Sequence, residues 1–437
     1  MLIYVFYFFA AGLVFLGWQS LRGGISYLEF FKRKLAEPKS SYTPFCSIIA
    51  PCRGLDEDLH ENLAALFRQD YPRYEIVFAV DDEDDEAVSV IKTLMSDASA
   101  GNIMSEPSAS AGGSMRPLEL SLTLPTQASS PTQTVSTKLI VAGKTETESQ
   151  KVHNLRQAVS EVSNESEAFV FVDSDARPGK DWLRNLTAPL ENETIGCATG
   201  YRWFISRKIS LASELRSVWN ASVASALGAN TKKNFCWGGS MAIRRDVFDK
   251  LNVREKWLGT LSDDFALTRT MKEAGLPICF VPQALTATVE NCDFGELLEF
   301  TTRQMKITRV YASHLWKASL IGSLIFTIVF WTGIALLFFA SGIHFWLTLA
   351  FVLLIFALGA SKASLRLKAV KLILKDYEKE LNRQLFSHLI LWTLTPPLYF
   401  YNSVCALFSR KIVWRGIEYE LKSATETVIL STNKPSN

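Results

Sequence analysis

The sequence predicts an α/β protein, a mainly parallel sheet domain set between apolar terminal helices. Three observations carry that prediction. Short apolar runs alternate with segments of helical spacing, the pattern of right-handed βαβ units. One run, Ala168–Val172, ends abruptly in Asp173-Ser174-Asp175, as a buried strand does at the carboxyl edge of an open sheet. Uncharged stretches of spanning length lie near both ends, and apolar residues make up 48% of the 437, too many for a purely soluble chain. Residues 1–40 are expected to form a membrane anchor, 41–300 the α/β domain, and 301–437 an interfacial helix with a second membrane region.

Composition also excludes. The net charge of +2 gives no footprint for nucleic acid. Seven cysteines are scattered without a Cys-x-x-Cys pair, so neither a disulfide framework nor a zinc site is implied. Five histidines without His-Glu-x-x-His do not indicate a metalloprotease.

Leu2–Trp18 is uncharged and aromatic-rich. A signal peptide would carry its basic residues before the apolar run; here Arg22, Lys32, Arg33 and Lys34 follow it. The positive-inside rule then puts the following domain in the cytoplasm. Strands are expected at Cys46–Pro51, Glu75–Val80, Lys138–Val141 and Ala168–Val172, with helices at Glu57–Asp70, Glu86–Met95 and Gln150–Val162. Residues 97–137, rich in Ser, Thr, Pro, Gly and Ala, read as a disordered insertion in a surface loop.

Past the fourth strand, Asp173 and Asp175 stand two apart in an extended segment, so both can face one cation. A solvated acidic turn is the plainer reading, and Asp56-x-Asp58 and Asp82-x-Asp84 show how common the pattern is. Gly238-Gly239 lets backbone approach a ligand closely, or makes an ordinary tight turn. Asp263-Asp264 opens a helix, where acids also suit the helix terminus.

Asp293–Trp316, with Arg303, Lys306 and Arg309, reads as an amphipathic helix lying in a membrane surface. Ala318–Ala340 and Ile343–Ala360 are each long enough to span and form a hairpin, and the basic Ser361–Arg383 belongs on the cytoplasmic side. Leu385–Phe408 is uncharged but broken by Pro396-Pro397, so it spans with a kink or re-enters. Arg410–Lys422 reads as a short basic tail.

Taken together, Ala50–Ala87, Val172–Asp175 (VDSD), Cys236–Phe248, Leu261–Thr268 (LSDDFALT), Arg303–Ile307 (RQMKI) and Trp414–Tyr419 (WRGIEY) resemble, in order, the inverting glycosyltransferases of family 2. Within that family they are most similar to the membrane-bound ceramide glucosyltransferase branch. The resemblance implies a GT-A fold, a UDP-sugar donor, a membrane lipid acceptor and a Mg2+ or Mn2+ ion. By position it gives Asp82 to the nucleoside and Lys151 to the phosphates. It gives Asp173 and Asp175 to uridine and metal, Asp264 to the general base, and Arg303 and Lys306 to the diphosphate. The chain departs from the family in the last element, where Lys306 lacks arginine's bidentate fork and Ile307 replaces an aromatic platform. The alternatives are a processive polysaccharide synthase and a membrane scaffold that has lost catalysis.

Overall fold

The computed structural model describes residues 2–99 and 134–432. In chain order, α1 (Leu2–Ala36) leads to β1 (Cys46–Pro51), α2 (Leu59–Phe67), β2 (Arg73–Val80), α3 (Glu86–Ser99), β3 (Thr134–Val141), α4 (Gln150–Ala158) and β4 (Ala168–Phe171). Next come α5 (Trp182–Thr187), β5 (Cys197–Ile205), α6 (Leu211–Ala224), β6 (Met241–Arg244), α7 (Arg245–Lys250), α8 (Val253–Lys256), α9 (Asp263–Glu273) and β7 (Ile278–Val289). The rest is α10 (Phe294–Tyr311), α11 (Ser313–Leu336), α12 (Gly342–Lys371), α13 (Glu378–Leu391), α14 (Thr395–Phe408), then β8 (Lys411–Trp414), β9 (Ile417–Ser423) and β10 (Glu426–Thr432).

The α/β core expected from the alternating runs is present as a seven-stranded sheet of order β3-β2-β1-β4-β6-β5-β7. Only β6 runs against its neighbours; the other pairings are parallel. Strands β1 and β4 are buried along their whole length, which is why they read as continuous apolar runs rather than alternating ones. From β1 the chain winds outward through β2 to β3, and from β4 it continues the other way. The crevice beyond the carboxyl ends of β1 and β4 is therefore the switch point at which such sheets bind ligands.

Among the described residues three helices are long and apolar enough to cross a membrane: residues Ile3–Ala36, Ser313–Leu336 and Gly342–Lys371. Phe6, Ala10, Val329, Phe330, Val352 and Ile355 form their shared apolar core. At about 1.5 Å per residue, α1 far exceeds a bilayer's hydrocarbon thickness. Its last third is a core element: Tyr27, Phe30 and Phe31 are buried with the sheet, and both phenylalanines lie against Phe280 of β7.

Four expectations change. Strand β3 begins at Thr134 and helix α3 reaches Ser99, so the insertion read at 97–137 is shorter at both ends; residues 100–133 lie outside the described residues. The helix expected at Asp293–Trp316 ends at Tyr311. Asp293 and Glu296 close a capping box at its start, and Ala312 breaks it from α11. Leu385–Phe408 is not broken at Pro396-Pro397: α13 passes through a 3-10 turn, Trp392–Leu394, directly into α14. Pro396 and Pro397 sit in the first turn of α14, where a missing N–H costs nothing, and a fresh helix of 14 residues starts there. The supposed basic tail is a three-stranded antiparallel sheet, β10-β9-β8. Its alternating pattern, Ile412, Ile417, Tyr419 and Leu421 inward against Leu261 and Ile307, was masked by the charges between.

Candidate active site

Four segments meet at the switch point. Val172 still bonds to β1, its N–H donating to the Ile49 carbonyl at 3.1 Å, and Asp173 and Asp175 follow it off the sheet edge. The start of β6 brings Gly238 and Gly239 beside them, because Met241 pairs with Phe171. Helix α4 delivers Lys151: Ser149 caps the helix and its hydroxyl donates to the Leu261 carbonyl at 2.7 Å, locking α4 to the loop before α9. That loop ends at Ser262, the cap of α9, whose first two residues are Asp263 and Asp264.

The result is a chain of alternating charges. Lys151 Nζ lies 3.1 Å from Asp263 and 2.6 Å from Asp173; Arg202, from β5, lies 3.3 Å from Asp173 and 2.7 Å from Asp175. The guanidinium of Arg202 also stacks over Trp237, 4.7 Å from the ring centre. Burial pulls the Lys151 pKa down, but Asp173, Asp263 and Asp264 outweigh it and hold the ammonium above its ordinary value. Burial pushes Asp175 up, and Arg202 with Arg415 more than reverse this. Burial prevails at Asp263, whose carboxyl is pushed up to about 6 even though Lys151 opposes it.

Two carboxylate oxygens in this chain, Asp175 Oδ1 and Asp263 Oδ2, are buried without a hydrogen-bond partner. A buried anionic oxygen with no donor is costly unless a cation serves it. Among the described residues no group of three or more His, Cys, Asp or Glu is placed to hold a metal. The residues still fit a magnesium-like ion, which takes one or two carboxylates and completes its shell with substrate phosphates and water. Asp175 and Asp173 would hold it.

Asp264 differs from Asp263. It is half-buried, and its carboxylate accepts from Phe265 N–H at 2.7 Å, from Gly238 N–H at 3.3 Å, and from the Ser262 hydroxyl. Tyr311, at the end of α10, accepts from the Leu261 N–H at 2.8 Å and so ties this loop to the apolar region.

The glycines set the spacing. A Cβ on Gly238 would collide with Asp263 Oδ2 and come within 2.9 Å of Lys151 Nζ; one on Gly239 would collide with the Trp237 ring and reach 2.9 Å from Asp173. Gly238→Ala is therefore expected to cost about 1–3 kcal/mol of stability, as overpacking does, and to weaken nucleotide binding by pushing Lys151 aside. Denaturant melts and calorimetry on the same preparation check both; an unaffected variant would mean that the Lys151–Asp263 contact is loose.

Of the residues singled out in the sequence, Asp173, Asp175, Lys151 and Asp264 come together. Asp82 stands half-buried at the rim beyond β2, 2.9 Å from Lys144, whose hydrogen bond holds its carboxyl below the ordinary range. The buried acid at that strand end is Asp81, paired with Arg53. Arg303 lies over Trp414, 5.8 Å from the ring centre, as does Lys151 at 6.0 Å. Burial lowers its pKa to about 10, so it stays a cation at neutral pH. Lys306 turns to the C-terminal sheet, donating to the Lys411 carbonyl at 2.6 Å; it lines a pocket of about 270 Å3 with Arg303, Lys411 and Glu418. Ile307 is buried between α10 and that sheet.

Sequence reasoning missed Arg202, Asp263's separate role, and the contribution of Trp414 and Arg415. An arginine inside the apolar strand CATGYRWFI was a usable signal, since a charge is rarely placed there without a partner.

The family model of glycosyl transferase family 21 matches residues 7–100 and 129–427. Ceramide glucosyltransferase 3 of Caenorhabditis elegans is 44% identical over 57 residues, 13% of this chain and 12% of that protein. Ceramide glucosyltransferase 1 of the same organism is 36% identical over 52 residues, 12% of this chain and 11% of that protein. These local matches thus span about an eighth of either relative. A mannosyltransferase from Pyrobaculum calidifontis, solved with GDP-mannose and Mn2+, is similar over 92% of this chain and 99% of its own at 16% identity, with a TM-score of 0.44, too low for residue roles to be carried across.

Proposed function

The chain belongs to glycosyl transferase family 21, and from that premise we propose that it moves one sugar from a UDP-sugar, UDP-glucose favoured, to a ceramide-like membrane lipid with inversion. The observation that carries this reading is the Lys151–Asp173–Arg202–Asp175 chain at the switch point, with Asp264 beside it. Such a site offers cations to a leaving nucleoside diphosphate and a carboxylate to an attacking hydroxyl.

The transition state of sugar transfer resembles an oxocarbenium ion, and the leaving group gathers negative charge as the bond breaks. Lys151 and Arg303, both beside the Trp414 ring, face that charge, and Asp82 contacts the nucleoside. Lys306 holds the β8 backbone and reaches a phosphate only by leaving it. Asp175 and Asp173 would hold a Mg2+ or Mn2+ ion, which when bound would further neutralise the diphosphate. Asp264 takes the acceptor's hydroxyl proton from the face opposite the leaving group. The C-terminal spans deliver the acceptor, whose tails stay in the bilayer.

Incubating the detergent-purified chain with a panel of UDP-sugars and a membrane lipid extract, followed by mass spectrometry, tests the reading. One sugar per lipid is expected even with donor in large excess. A ladder of oligosaccharides would instead favour a processive synthase, and absence of both transfer and donor hydrolysis would favour a scaffold.

Orientation follows from the basic residues that flank the spans. Glu193 and Lys368, both exposed, are expected to be labelled only from the cytoplasmic face of sealed vesicles when changed to Cys. Labelling of either from the opposite face would reverse the orientation.

A further inference from the structure

The tip of the β8–β9 hairpin reaches into the site from a part of the chain that sequence reading left without a role. Its two turn residues, Arg415 and Gly416, both have positive φ, 51° and 74°. That is the geometry of the tight turns that join twisted antiparallel strands, and it favours Asn or Gly at the first position. An arginine there is held in the sparsely populated left-handed region, and nothing in the hairpin itself requires a long cation.

What the arginine meets is the switch point. Its guanidinium pairs with Asp56, and Asp56 Oδ2 in turn accepts from the hydroxyl of Ser174, at 2.5 Å, the residue between Asp173 and Asp175. The Arg415 carbonyl accepts from Arg53 Nε at 3.1 Å, and Arg53 holds Asp81 at the end of β2. Next to it the Trp414 ring meets both Lys151 and Arg303, each about 6 Å or less from its centre. Trp414 packs against the same cluster that buries Ile307, so where α10 presents an isoleucine the hairpin brings a ring. Arg415 side-chain atoms are 37% exposed, so the residue is reachable from solvent.

We propose that the hairpin tip is part of the donor site: Arg415 binds the nucleoside diphosphate, resting on Asp56 until the diphosphate takes its place, and Trp414 holds Lys151 and Arg303 for the same anion. The proposal rests on the sugar-transfer reading for its ligand. The exchange moves one charge-assisted pair from a carboxylate to a phosphate, a geometry arginine's fork suits equally well.

The opposing effects of the two partners make the test. Binding of UDP, GDP and the parent nucleosides is measured by calorimetry on the detergent-solubilised full chain. Arg415→Gly relieves the turn backbone, so its melting temperature is expected to hold. Its affinity for the nucleoside diphosphate should fall about tenfold, the size of one charged hydrogen bond, with nucleoside affinity unchanged. Arg415→Lys should recover part of the loss. Asp56→Asn keeps the Ser174 hydrogen bond but frees Arg415, so it should bind the diphosphate as tightly as the parent or more tightly. Parent-like affinity in Arg415→Gly overturns the proposal. So does an equal loss in Arg415→Gly and Asp56→Asn with a shared drop in melting temperature, the mark of a merely structural pair. A parent chain that binds neither UDP nor GDP is a different result: the transferase reading itself fails, and the proposal with it.

Discussion

Asp264→Asn is expected to lose sugar transfer by a factor on the order of 10²–10⁴, the usual worth of a general base, while donor affinity stays within about twofold of the parent, because a base acts only in the chemical step. The geometry allows this separation. Asp264 touches neither Lys151 nor Arg202 within salt-bridge distance; its partners are two backbone N–H groups and the Ser262 hydroxyl, and the one oxygen of Asn can keep the Phe265 and Ser262 bonds while giving up only the long 3.3 Å bond from Gly238 N–H. Single-turnover rates set beside calorimetric donor affinities give the answer. Near-parent turnover would leave Asp264 as a helix-terminus acid only. Asp263→Asn is the control: it strips one of Lys151's two close carboxylates, so its effect falls on donor binding.

Asp175→Asn should remove at least about tenfold from the manganese-dependent part of UDP affinity, the scale on which even outer-shell changes weaken metal sites. The substitution takes away the charge behind Asp175 Oδ1, a buried oxygen without a donor. It leaves Arg202 with Asp173 as its remaining acid, so a cost in stability accompanies the change. Titrating UDP with and without MnCl2, and melting the metal-free protein, separates the two effects. An unchanged manganese increment would take Asp175 out of the metal site.

The parts of the fold legible in the sequence are those in which burial is uniform. The strand Ala168–Phe171 is apolar throughout because both of its faces are covered, and its abrupt end in Asp173 marks the sheet edge. The C-terminal sheet was illegible for the opposite reason. It buries one face only, and Lys411, Glu418, Glu420 and Lys422 on its other face read as a basic tail. The site divides in the same way. Asp173, Asp175 and Asp264 carry local motifs, whereas Arg202 and Arg415 join them only through sheet order and a hairpin far along the chain. Asp56-x-Asp58, which reads as a chance match, holds Arg415 and Ser174 through Asp56, while Asp58 pairs with Arg177 and Arg207.

On the proposed reading, in which the acceptor sits in a bilayer, the first helix has a further meaning. Leu2–Ala36 is one uninterrupted rod, apolar at its start and sunk at its end among Phe30, Phe31 and Phe280 beneath the sheet. The helix runs unbroken from Leu2 to Ala36, so on that reading it sets the height of the catalytic crevice relative to the apolar segment. A substrate hydroxyl on a long headgroup and one on a short headgroup then arrive at different levels, and only one level contains Asp264. Reach, as much as recognition, becomes a selector among lipids.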